Sequence, residues 1–226
     1  MIGVFDSGAG GLFALAELRR LLPTADIVFL ADEKNAPYGT KSVTELKGLV
    51  SADIKTLASE GCERILMACC TASTVWELLS ERERAISVPI IEPTVDAALR
   101  ISKNKRIGIL STEATKRSGA FVTEILRREP SAVLTCFSAG ELVGLAEGGE
   151  ADGALSEHGL STVKKSVSGF VGSGIDTLIL GCTHFAYFEN TIKDILRVGV
   201  VNSARVGAHE MLKYAKEEHG VTKILG

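Results

Sequence analysis

Cys69 and Cys182 each close a short apolar run: residues 64–74 read RILMACCTAST and residues 177–184 read TLILGCTH. An apolar run of this length with polar boundaries predicts a buried strand, which leaves each thiol at a strand's C-terminal end. Thr71 and Ser73 are N-cap types, and Val75, Trp76, Leu78 and Leu79 supply an apolar face, so a helix is expected to begin just after Cys69. A helix N-terminus facing Cys69 would lower its pKa towards the thiolate. Two such thiols suit general acid–base chemistry at a carbon acid, one removing a proton as thiolate while the other delivers a proton to the opposite face. Asp6 is placed to assist Cys69, and His184, two residues past Cys182, to assist the second thiol. A lone cysteine in an α/β core is usually an inert small hydrophobe. A related pair is harder to read that way.

The two cysteine segments are related by position. Gly61 lies eight residues before Cys69 and Gly174 eight before Cys182, and an offset of 113 maps Ile65–Ala68 onto Leu178–Gly181. A second pair, IGVFD at Ile2–Asp6 and IGILS at Ile107–Ser111, has an offset of 105. Two repeats of about half the chain predict an α/β protein of two similar lobes related by a pseudo-twofold. Each lobe would be a mainly parallel sheet flanked by helices, offering one cysteine to a shared active-site cleft. The boundaries expected are 1–93 plus 203–226 for the first lobe and 94–202 for the second.

The elements between these anchors follow from periodicity. Strand Ile2–Phe5 leads into the glycine-rich turn Asp6–Gly11 and a helix carrying Leu12, Leu15, Leu18 and Leu22, closed by Pro23. The turn lacks the Lys-Ser/Thr of a phosphate loop and fits a backbone cradle for a small carboxylate. Strand Asp26–Ala31 precedes a loop ending at Pro37–Ser42. The helix marked by Val43, Leu46, Val50, Ile54 and Leu57 then leads to the Cys69 strand. Strand Ser87–Ile91 and Glu92-Pro93 cross into the second lobe. There strands at Arg106–Leu110, Ala132–Phe137, the Cys182 segment and Gly199–Val201 alternate with helices at Val95–Ile101, Ala120–Arg128 and Leu155–Val171. Asn202-Ser203 opens the last expected helix.

Composition narrows the class. The 226 residues are 46% apolar and 23% charged with a net charge of −3, ordinary for a globular protein and unsuited to a nucleic-acid partner. No run approaches the ~20 apolar residues of a membrane span. The first residues enter a strand directly, with no basic segment and cleavage site. Five cysteines (Cys62, Cys69, Cys70, Cys136 and Cys182) make an odd count that argues for a reducing compartment, taken as cytoplasmic. Neither C-x₂-C nor H-x₃-H spacing is present, so metal binding is the weaker expectation. Cys62 and Cys136 read as packing residues, and His158, His209 and His219 as surface residues.

Taken together, IGVFDSGAGGL at Ile2–Leu12, APYGTKS at Ala36–Ser42, ACCTAS at Ala68–Ser73 and TLILGCTHF at Thr177–Phe185 resemble the cofactor-independent aspartate/glutamate racemases, glutamate racemase above all. IGILSTEAT at Ile107–Thr115 and Asn202-Ser203 add weaker matches, and the motifs span nearly the whole chain in order. The resemblance implies an isomerase that interconverts L- and D-glutamate without pyridoxal phosphate or another cofactor, supplying D-glutamate for peptidoglycan and hence cell-wall shape. It implies Cys69 and Cys182 as the acid–base thiols, with Asp6 and His184 as their assistants. Ser7, Tyr38, Gly39, Thr71 and Thr183 would bind the amino acid, and Glu147 in LAEGG would match the family's second-lobe glutamate. A homodimer is the expected assembly.

The chain departs from the family at Cys70, where an Asn is usual, at Ala186-Tyr187 in place of Pro-Leu, and at Asn202 in place of Asp. The first departure lies among the substrate-binding positions. It therefore keeps two other readings in view: racemisation of aspartate or another amino acid, and a non-catalytic member that binds a dicarboxylate or a protein.

Overall fold

A computed structural model describes residues 1–216 and 218–225, and its chain divides into two compact units. The first runs from Met1 to Ile90 and resumes at Ala204; the second is Ile91–Ser203. These divisions fall one to three residues from the expected boundaries. Glu92-Pro93, read as the crossing into the second lobe, lies just inside the second unit, in the first turn of helix Ile91–Ile101, where proline's missing N–H costs no helical bond.

The first unit holds strands β1 (Ile2–Asp6), β2 (Ile27–Ala31), β3 (Arg64–Met67) and β4 (Ser87–Pro89). The second holds β5 (Arg106–Ser111), β6 (Val133–Ser138), β7 (Thr177–Gly181) and β8 (Gly199–Asn202), and the first gains β9 (Thr222–Leu225) from the chain's return. The sheet orders are β4-β3-β1-β2-β9 and β6-β5-β7-β8, with every pairing parallel. Matching β1–β4 with β5–β8 turns one order into the other. The repeat extends to register, since Val4 pairs with Leu66 and Ile109 with Ile179, the residues that the two offsets relate. Two α/β lobes, each a parallel sheet flanked by helices, are thus the fold.

Buried strands need apolar side chains on both faces, and β1 and β7 are buried at every residue. Helix Val43–Ser59 closes the first sheet with Leu46, Val50, Ile54 and Leu57, each worth about 1.5–3 kcal/mol when withdrawn from water. Its start is a capping box: the Glu45 N–H donates to Ser42 Oγ and the Ser42 N–H donates to Glu45 Oε2 at 2.9 Å. Val43, expected on the apolar face, is instead 62% exposed as the first helical residue.

Other elements depart from expectation. The helix after Cys69 is one turn, Cys70–Ser73, followed by a 3₁₀ turn at Trp76–Leu78. Trp76 is half-buried and donates from Nε1 to Ser87 Oγ at 3.0 Å. Short helices at Glu113–Ser118 and Gly140–Glu147 occupy stretches where hydroxyls and glycines obscured the periodicity. The expected last helix ends early, at Glu210. Strand β9 went unread because it is short and its residues are mostly exposed at a sheet edge, so it shows no buried pattern.

Candidate active site

In the first lobe, β1 delivers Asp6 to the turn Ser7–Gly10. Asp6 is fully buried, and its Oδ1 accepts the Gly8 N–H at 3.1 Å. Ala68 follows β3, and Cys69 is then the N-cap of the Cys70–Ser73 turn. Its Sγ accepts the Ala72 N–H at 3.5 Å and lies 3.5 Å from Ser7 Oγ. Cys70 and Thr71 follow directly, 2% and 4% exposed.

The thiol's titration runs against the expectation of a lowered pKa. Burial foremost, then the charge of Asp6, pushes Cys69 up to about 11, outweighing the hydrogen bonds from Ala72 and Ser7. A four-residue helix aligns too few peptide dipoles to reverse this.

The Ala36–Ser42 loop brings Tyr38 and Gly39 to the same lobe. The Tyr38 side chain is turned inward and packs in the core cluster that includes Cys69. Its Oη is 2.6 Å from Asp32 Oδ2 and 2.6 Å from Asp53 Oδ2. The Tyr38 side chain thus anchors the loop, and what Tyr38 and Gly39 themselves can offer a ligand is backbone. Gly39 faces open space.

The second lobe repeats the plan with different chemistry. Gly181 ends β7, where a Cβ would lie 2.9 Å from the Phe121 ring and 3.1 Å from Ser111 Cβ. Cys182 follows in extended conformation, and a 3₁₀ segment, Thr183–Phe188, turns the chain back. Cys182 Sγ is 3.8 Å from His184 Nδ1. The other ring nitrogen, Nε2, is 3.3 Å from Oε1 of Glu147, the last residue of helix Gly140–Glu147. That separation allows charge attraction, but the buried Nε2 is not aligned for a hydrogen bond. Protonated on both nitrogens, His184 is a cation between a thiolate and a carboxylate; protonated on Nε2 alone, it can accept the thiol proton.

Thus Asp6, Ser7, Cys69, Cys70 and Thr71 are grouped in one lobe, and Cys182, Thr183, His184 and Glu147 in the other. Asn202 has a local task, donating from Nδ2 to the buried Glu189 Oε2 at 2.8 Å. An Asp there would set a second carboxylate against Glu189. Among the described residues, no three His, Cys, Asp or Glu side chains are gathered as a metal ion would require, and no helix is long and apolar enough to cross a membrane.

The sequence pattern of Asp/Glu/hydantoin racemases matches residues 15–211. The chain belongs to this family. A glutamate racemase of Desulforudis audaxviator is 36% identical over 201 residues, covering 88% of this chain and 72% of the relative. That of Aquifex aeolicus is 36% identical over 221 residues, 96% and 84% of the two chains. Among solved structures, a glutamate racemase of Francisella tularensis in complex with D-glutamate superposes with a TM-score of 0.87 at 26% identity, over 99% of this chain and 86% of that one. The chain carries two strand-end thiols, with a buried acid acting on one and a histidine beside the other.

Two carboxylates of the site escaped the sequence analysis, Asp32 and Asp53. The signal for Asp53 was present: it falls on the buried stripe Leu46, Val50, Ile54, Leu57, where a carboxylate has no packing reason to be.

Proposed function

We propose that this protein interconverts L- and D-glutamate by two-thiol proton transfer at Cα. The observation that carries the proposal is the strand-register equivalence of Cys69 and Cys182, one at the same structural position in each lobe. The relatives' shared activity supports it. Racemisation breaks and re-forms one C–H bond on opposite faces of one carbon, so it needs two groups that exchange roles. One cysteine, as thiolate, takes the Cα proton; the other, as thiol, supplies a proton to the opposite face; the reverse reaction swaps them.

Asp6 serves Cys69, while His184, backed by Glu147, serves Cys182. Ser7, Cys70, Thr71, Thr183 and the backbone at Tyr38 and Gly39 hold the amino acid's carboxylates and ammonium. Cys69 must become a thiolate, and its raised pKa sets what the substrate has to contribute. An ammonium group brought beside the thiol favours the charged form by direct attraction. We further infer a cytoplasmic homodimer whose product serves peptidoglycan synthesis.

The test is solvent exchange. Incubated in D₂O with L-glutamate alone, the enzyme should form D-glutamate carrying deuterium at Cα, and D-glutamate alone should give deuterated L-glutamate. The same measurement on the aspartate enantiomers decides the substrate. If neither glutamate enantiomer exchanged its Cα proton, the proposal would be wrong. The second reading, a different amino-acid substrate, rests on Cys70 at a position where the family usually has Asn.

A further inference from the structure

The Tyr38 phenol has one proton, yet its oxygen lies 2.6 Å from two carboxylates, Asp32 Oδ2 and Asp53 Oδ2. A phenolic oxygen can donate once, so both contacts are hydrogen bonds only if a second proton is present. Asp32 has other donors, since Asn35 Nδ2 lies 2.9 Å and 3.0 Å from its two oxygens. Asp53 is 7% exposed on the inner face of helix Val43–Ser59, and the phenol oxygen is the hydrogen-bond partner its carboxyl is shown to have.

We propose that Asp53 is a positioning residue that acts through Tyr38: as a neutral carboxylic acid it donates to the phenol oxygen, the phenol donates to Asp32, and this chain of bonds pins the Tyr38–Gly39 backbone for substrate. The proposal rests on the assignment of that backbone to substrate binding. It makes the loop sensitive to pH, because loss of the Asp53 proton turns one bond of the chain into a contact between an acceptor and an anion.

The titration agrees in direction. Burial foremost, with Asp32 adding to it and the Tyr38 hydrogen bond opposing, raises Asp53 to about 7. Burial and the two carboxylates push the Tyr38 phenol upward, so the phenol keeps its own proton. Other elements packed against the helix bring further groups. Strand β1 carries Asp6, Cys69 and Cys70 stand at the Cys70–Ser73 turn, and helix Glu81–Ile86 brings Glu83. Glu83 is engaged by Ser51, Ser80 and Lys55. The groups that act on Asp53 are Tyr38 and Asp32.

Asp53→Asn separates this from a plain packing role, because the amide can donate to the phenol at every pH. Hydrogen–deuterium exchange of residues 36–41 is compared between wild type and D53N at the same pH, so intrinsic rates cancel. At pH 6 the two should exchange alike, and at pH 8.5 the wild type should exchange roughly three- to tenfold faster, the worth of one ordinary hydrogen bond. KM for glutamate should rise by a similar factor in the wild type and stay flat in D53N, with kcat moving less. A wild-type to D53N ratio that does not change with pH, in exchange or in KM, overturns the proposal. Tyr38→Phe serves if D53N does not fold: it should exchange fast at both pH values, and slow exchange at pH 6 counts against the bond chain. Absence of glutamate turnover alongside the expected exchange pattern would refute the substrate assignment and leave the shared proton standing.

Discussion

Gly11 stands so close to Asp6 that a Cβ on it would lie 2.4 Å from the Asp6 Cβ, with the Phe29 ring 2.9 Å away on another side. The glycine at the start of the first helix is therefore a packing requirement of the acidic side chain. Alanine would gain about 1 kcal/mol in helix propensity, but overpacking costs about 1–3 kcal/mol. We expect Gly11→Ala to lower Tm. Displacing Asp6 should also cut kcat by about 10²-fold, as for a catalytic group moved by an ångström. Calorimetry and steady-state kinetics check both; unchanged Tm with unchanged kcat would show that the turn yields freely.

Replacing Cys69 or Cys182 by Ala should each remove racemisation by ~10²–10⁴-fold or more, the scale of a lost general acid or base. Folding should survive, since a cysteine-to-alanine change in these clusters deletes one sulfur. Circular dichroism and turnover of both enantiomers are the measurements. A Cys182→Ala protein racemising at the wild-type rate would end the two-base mechanism.

Asp6 raises the pKa of Cys69, so Asp6→Asn should lower it while Asn Oδ1 keeps the Gly8 bond. The rate of Cys69 alkylation, followed by mass spectrometry across pH 8–12, should reach its half-maximum at a lower pH in the variant. The sign is fixed: removing a negative neighbour stabilises the thiolate. A half-maximum at the same or higher pH would mean that burial alone sets the thiol.

Glu147 Oε1 lies 3.3 Å from His184 Nε2, and the other nitrogen of that ring lies 3.8 Å from Cys182 Sγ. Glu147→Gln removes the negative charge 3.3 Å from His184 Nε2, so it should lower kcat. It should also slow one direction of racemisation more than the other. Asp6→Asn should weight the opposite direction. The equilibrium constant is unaffected, so the asymmetry appears in kcat and KM separately. Equal effects of both variants on both directions would remove the side assignments.

At Cys70, a thiol is a weak hydrogen-bonding group where an Asn would offer both donor and acceptor. Cys70→Asn should lower KM for glutamate by the worth of a gained hydrogen bond, about 0.5–1.5 kcal/mol. The site is 2% exposed, so an amide without a partner there would instead be destabilising. Glutamate and aspartate kinetics for both proteins decide it: an equal response of the two substrates, or slower glutamate turnover, excludes Cys70 as a specificity determinant.

Much of this architecture was legible from the chain. Apolar runs closed by a cysteine located β3 and β7, and the paired offsets of 113 and 105 carried the lobe repeat down to strand register. Strands buried on both faces write themselves as continuous apolar runs, and that signal is local. The helices Glu113–Ser118 and Gly140–Glu147 and strand β9 were lost because they have too few buried residues to set a period.

The sequence by itself determined which residue types stand at the strand ends: two thiols, an aspartate and a histidine. Only the tertiary structure decided their electrostatics. Cys69 was expected to titrate low from its place before a helix and is raised instead, because desolvation and the Asp6 charge depend on what folds around the sulfur. Tyr38 was read as a substrate contact, but its phenol is held by Asp32, six residues away along the chain, and by Asp53, fifteen residues away on a helix. Composition records that these groups exist. Burial and distance, which set the strength of every charge interaction among them, exist only once the chain has closed on itself.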